Sequence, residues 1–179
     1  MLAEQLWQTD IYEAKIIALL VDDPKTMTVE QAETQVEQLQ GGYLAHVFSS
    51  CDATLAKAPF VLELMEQWVS SKDPVRRRCG YGLLYEVSKW KNKNAPDVAA
   101  FLGHLERIKT THPKQPMPVL LAMGTAVMGI GMRNKQLNAA AIKVAKLIGP
   151  IDFDPDGRSD PMDVTARLEG DLVQNKLNA

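Results

Sequence analysis

Cysteine and net charge are both scarce in this 179-residue chain, and each shortage excludes something. Only two cysteines are present, Cys51 and Cys79, both inside apolar helical patterns, which suits a reducing compartment rather than a disulfide framework. The net charge of −2 argues against a strongly basic nucleic-acid-binding domain, so any such binding has to come from a local patch. Met117 to Met132 is the longest apolar run, but it is short and broken by glycine and proline. It fits a buried core helix, not a membrane span. The opening segment Met1-Leu2-Ala3-Glu4-Gln5-Leu6-Trp7 lacks the basic start and long apolar core of a secretory signal, so a cytoplasmic location is expected. His46, His104 and His112 are too scattered to share a metal, and neither a metal nor a cofactor is expected.

No segment alternates apolar and polar residues with a period of two. Helical spacing recurs instead between turn signals. Asp10 with Glu13 reads as a capping box ahead of the stripe Ile11, Ala14, Ile17 and Val21. Thr28 with Gln31 repeats the device before Val29, Ala32, Val36 and Leu39, and Gly41 is placed to stop that helix. The spacing predicts further helices over Leu44 to Ala56, Pro59 to Val69 and Pro74 to Lys89, the last capped by Asp73. Pro96 opens another through Ile108. Met117 to Gly131 and Lys135 to Ile148 follow, and Asp160-Pro161 starts a final helix. Met117 to Gly131 has no ionisable residue, with Gly124 and Gly129 permitting close neighbours. Short helices joined by tight turns predict an all-α superhelix of stacked antiparallel helical hairpins, a HEAT-like α-α solenoid forming a single domain over 1–179. An irregular all-α bundle is the alternative.

The densest chemical signal is Ser71-Lys72-Asp73-Pro74-Val75-Arg76-Arg77-Arg78-Cys79-Gly80. Consecutive helix positions lie about 100° apart, so three adjacent arginines cannot all share one solvated face. Guanidinium forks suit phosphate oxygens, which makes Arg76, Arg77 and Arg78 candidate nucleic-acid ligands, with Lys72, Arg133 and the Lys89 to Lys93 segment extending the patch. The alternative is pairing with acids on neighbouring helices, such as Glu63 or Glu66. Asp152 to Asp163 has the oxygen spacing of a calcium-binding EF-hand loop, with Gly157 at the sixth position. Ser159 in place of an apolar residue, Asp163 in place of glutamate, and Pro155 and Pro161 favour turn and cap roles instead. Cys79 lacks the Pro-Cys-His-Arg setting of an alkyl-acceptor cysteine and reads as a core thiol.

The segments Leu6 to Ile16, Arg77-Arg78-Cys79-Gly80-Tyr81 and Gly131 to Asn138 resemble, in that order, the AlkD-like DNA alkylation repair family. The resemblance implies a curved superhelix whose basic concave groove binds duplex DNA, in a chain lacking the family's first one or two helices. The family's groove arginine falls on Arg78, with Arg77 beside it. Its catalytic aspartate falls on Val47 or Phe48, within Gly42-Tyr43-Leu44-Ala45-His46-Val47-Phe48, where there is no carboxylate. The family's Trp-Ala-Leu-Arg segment falls on Thr125-Ala126-Val127-Met128. Releasing an alkylated base builds cationic charge on the sugar, which a hydrocarbon side chain cannot stabilise. The resemblance therefore implies a DNA-binding or scaffold module, through a concave face holding DNA or a protein partner, with no catalytic residue assigned. An active glycosylase with an unaligned carboxylate, and a protein scaffold with no DNA role, are the alternatives.

Overall fold

The structure, a computed structural model, describes residues 2–39, 42–154 and 156–178. Among them α-helices follow one another from end to end: α1 (Leu2–Trp7), α2 (Tyr12–Val21), α3 (Val29–Gln38), α4 (Gly42–Ser49), α5 (Val61–Val69), α6 (Pro74–Ser88), α7 (Val98–Thr111), α8 (Met117–Gly131), α9 (Lys135–Ile148), α10 (Val164–Glu169) and α11 (Asp171–Asn178). Short 3-10 turns occupy Thr54–Lys57 and His112–Lys114. No strand is present among the described residues, and the single Ile151–Met162 bridge only closes a loop. None of their helices is long and apolar enough to cross a membrane.

Capping side chains explain most of the helix starts. Thr28 accepts from the Gln31 amide, Asp97 from Ala100, Asn134 from Leu137 and Asp163 from Ala166, each satisfying an amide the helix cannot. Asp73 accepts from the Val75 amide, just ahead of Pro74 at the first position of α6. Elsewhere the local signal misleads. Asp10 makes no cap; Ile11 holds that position without a side-chain bond, while Thr9 accepts from the Ile11 amide. The helix expected over Leu44 to Ala56 breaks after Ser49, because Cys51 and Asp52 take left-handed backbone conformations (φ 55° and 62°). The last helices start after Asp163, not Asp160, and α1 lies ahead of the first helix that the spacing predicts. Gly41 and Pro155 fall outside the described residues.

The chain divides into two compact units, Met1–Glu86 and Val87–Ala179, with the boundary inside α6. In the first, α1 packs on α2, α2 on α4, and the Thr54–Lys57 turn on α2, α4 and α5. Its core centres on Trp68, Phe48, Leu64 and Met65, with the Phe48 and Trp68 rings 5.9 Å apart. In the second, α9 packs against α7, α8 and α10 around Phe101, Ile108, Met123 and Ile130. Gly124 of α8 meets Met162 and Ile151, the two residues that close the Asp152 to Asp163 loop.

Close approach matters most where α6 crosses α5. A methyl group on Gly80 would lie 2.6 Å from the Val69 amide nitrogen and 2.9 Å from the Trp68 carbonyl carbon, and backbone cannot move aside as a side chain can. In an open helix Gly→Ala stabilises; here overpacking dominates. Gly80→Ala is expected to lower unfolding stability by about 1–3 kcal/mol, measured by denaturant titration, with an unchanged or higher midpoint refuting this account of the α5–α6 contact.

Candidate nucleic-acid interface

The arginine triplet opens α6, and the 100° step between positions sends its members to three different environments. Arg76 turns to the unit's own acids. Its Nη2 lies 2.7 Å from Glu33 Oε2 and 2.9 Å from Glu37 Oε1, its Nε 3.0 Å from Glu33 Oε2, and its Nη1 3.1 Å from Asp73 Oδ2. The hydrogen bonds that Arg76 donates to these carboxylates raise its pKa, led by that to Glu33. Glu33 also accepts from the indole of fully buried Trp68 at 2.6 Å. The acids that Arg76 meets are Glu33, Glu37 and Asp73.

Arg77 folds back over the preceding turn, donating to the Ser71 carbonyl at 2.9 Å and the Lys72 carbonyl at 2.7 Å. Arg78 makes a long 3.5 Å contact to the Gly42 carbonyl, and no described carboxylate pairs with it. Exposed Lys72 likewise has no described acidic partner. In the second unit, Arg133 donates to the Ser88 carbonyl and, at 2.8 Å, to the Trp90 carbonyl, closing the C-terminal end of α6. Its guanidinium stacks 4.5 Å over the Phe101 ring, and desolvation lowers its pKa.

Beside Arg78 the structure places groups that sequence spacing did not bring together. Half-buried His46 of α4 has its pKa lowered from 6.5 by desolvation and by the Arg78 charge, partly offset by Glu86. Glu86 of α6 is a buried carboxylate, 4% exposed, and accepts from the Asp52 amide at 3.3 Å. His46 Nε2 lies 2.9 Å from the sulfur of exposed Cys51. Only the break after Ser49 permits this, and no periodicity signals it. Cys79 is fully buried, with its thiol pushed up to about 11 by burial.

Val47 and Phe48, on which the resemblance places the reactive aspartate, both point into the core at 3% and 1% exposure. Asp52 is exposed and sits 3.6 Å from Lys57. In the Asp152 to Asp163 loop, the carboxylates of Asp152 and Asp154 accept from backbone amides of the same loop, and Asp156 pairs with Arg158 at 2.8 Å. No group of three metal-ligating side chains gathers among the described residues.

A family model described as DNA alkylation repair enzyme matches residues 1–147. Among curated proteins none matches the chain. A solved structure described as a new family of proteins related to the HEAT-like repeat DNA glycosylases, with affinity for branched DNA structures, superposes with a TM-score of 0.81. It is 21% identical, with 98% of this chain and 74% of the other covered, and so shares the fold.

Two predictions follow from the site's electrostatics. Glu33→Ala leaves the buried Trp68 indole without its acceptor, and is expected to cost about 1–3 kcal/mol of stability in thermal or urea unfolding. An effect near zero would mean water replaces the carboxylate. For His46 the folded state resists protonation, so below pH 6.5 the unfolded chain binds a proton that the folded chain does not. Stability therefore falls as pH drops below 6.5, and the fall should be shallower in His46→Gln when melting temperatures are compared across that window. Parallel curves would contradict it.

Proposed function

The chain belongs to the DNA alkylation repair family, and on that premise we propose that it is a DNA-binding module of that family without glycosylase chemistry. The observation that carries this reading is Arg78. It matches the family's groove arginine, is partly exposed, and has no described carboxylate to neutralise it. A guanidinium with open donors is a phosphate ligand in waiting. Lys72 supplies a second, exposed charge, while Arg77 is turned back onto the Ser71 and Lys72 carbonyls. Arg76 is occupied by acids, which hold the helix that presents Arg78, and Arg133 by backbone carbonyls within the second unit. Tyr43, 59% exposed at the start of α4, adds an aromatic surface beside the Gly42 carbonyl that Arg78 touches.

Hydrocarbon at Val47 and Phe48 supports the absence of base release, since neither side chain stabilises a sugar cation. Glu86 favours a second reading, in which this buried carboxylate on the same helix as Arg78 serves the chemistry. Its engagement by the Asp52 amide argues for a structural role instead. A protein scaffold with no DNA role is the remaining alternative.

Binding should be measured by fluorescence anisotropy on a duplex and on a four-way junction over a salt series, the junction chosen because of the structural relative's described affinity. Affinity should fall steeply with salt, and Arg78→Ala should weaken it and reduce the log–log slope by about one, the signature of one lost phosphate contact. Methylated duplex should release no base. Absence of salt-dependent binding would defeat the DNA reading in favour of the scaffold. Base release abolished by Glu86→Gln would establish the second reading.

A further inference from the structure

Cys51 and His46 form a pairing that DNA binding does not use. The thiol is exposed, its sulfur is 2.9 Å from His46 Nε2, and the chain between them breaks out of α4 where Cys51 and Asp52 are held left-handed. Non-glycine residues in that region cost about 1–2 kcal/mol each, so the packing around them imposes the turn that presents the sulfur to the imidazole. The groups facing His46 are Arg78 and Glu86 from α6 and Tyr43 from its own helix, its ring centroid 6.0 Å away. Asp52, next to the thiol, is paired with Lys57. Desolvation and Arg78 keep the imidazole neutral near pH 7, the form that accepts a proton. Cys79 offers a contrast within the same unit: it is fully buried and has no access to solvent.

We propose that Cys51 is a nucleophilic thiol, with His46 as its general base, that undergoes exchange with an anionic low-molecular-weight disulfide such as glutathione disulfide. His46, carrying its ring hydrogen on Nδ1, takes the Cys51 proton on Nε2 as the sulfur attacks one sulfur of the disulfide. The substrate S–S bond breaks and the Cys51 S–S bond forms. The departing thiolate recovers the proton from the imidazolium, so one disulfide is consumed, one is made and one thiol is released. Arg78, whose charge His46 already feels, selects an anionic disulfide over a cationic one.

The test uses the full chain with glutathione disulfide near pH 7, followed by intact-mass and peptide mapping. One glutathionyl group is expected on Cys51 and none on Cys79, at a rate about a hundredfold or more above N-acetylcysteine, the lower end of what general-base assistance supplies. His46→Gln should bring the rate down to the free-thiol value, and that difference should vanish near pH 9.5, where an accessible thiol ionises unaided. Glutathione disulfide should outpace cationic cystamine. A wild-type rate equal to the free thiol's overturns the proposal without recourse to any variant. So does a rate unchanged by His46→Gln, and cystamine reacting faster overturns the anionic assignment. None of these readouts depends on DNA binding.

Discussion

The first unit depends on one carboxylate. Glu33, on α3, accepts the indole proton of Trp68 from α5 through one oxygen and the guanidinium of Arg76 from α6 through the other. Three helices are thereby fixed around two oxygens, at a point where Trp68 is fully buried and its N–H has no water to turn to. Such a bond contributes little relative to a solvated reference, but leaving either donor unmet is costly, which makes the arrangement specific. With Arg76 anchored, the next two arginines follow from helical geometry, and Arg78 is delivered to the α4 side.

Division of labour within Arg76, Arg77 and Arg78 reconciles a mildly acidic protein with a phosphate-binding reading. Each guanidinium is identical in solution. Neighbouring acids neutralise the first, backbone carbonyls occupy the second, and the third meets no described carboxylate. A net charge of −2 says nothing against a site of this size, because binding responds to the local field and not to the sum over the chain.

The same neighbourhood holds the two positions on which the resemblance places the family's reactive aspartate. Val47 and Phe48 belong to the core, and Phe48 packs on Trp68. The nearest buried carboxylate, Glu86, instead holds the amide of Asp52, so it stabilises the left-handed turn that sets Cys51 against His46. Gly82 belongs to this packing too, since a methyl there would meet the Ser49 and Ser50 hydroxyls at 2.5 and 2.7 Å. A helix that ends early thus sets a thiol against an imidazole.

Helix type, most helix starts and the apolar character of α8 are readable from the chain alone, because caps and the 3.6-residue stripe are local properties. So is membership of the family whose model matches residues 1–147. The break after Ser49 is not, since Cys51 and Asp52 are not glycine and the Asp52 amide finds its acceptor in Glu86, 34 residues further on. Nor are the partners of Arg76: Glu33 and Glu37 are 43 and 39 residues away, whereas Glu63 and Glu66 lie nearer in sequence. Local pattern determines which segments become helices. Which charges are neutralised, which cysteine meets a base and which arginine stays open were settled by helix packing, because those interactions act across space and leave no trace in sequence spacing.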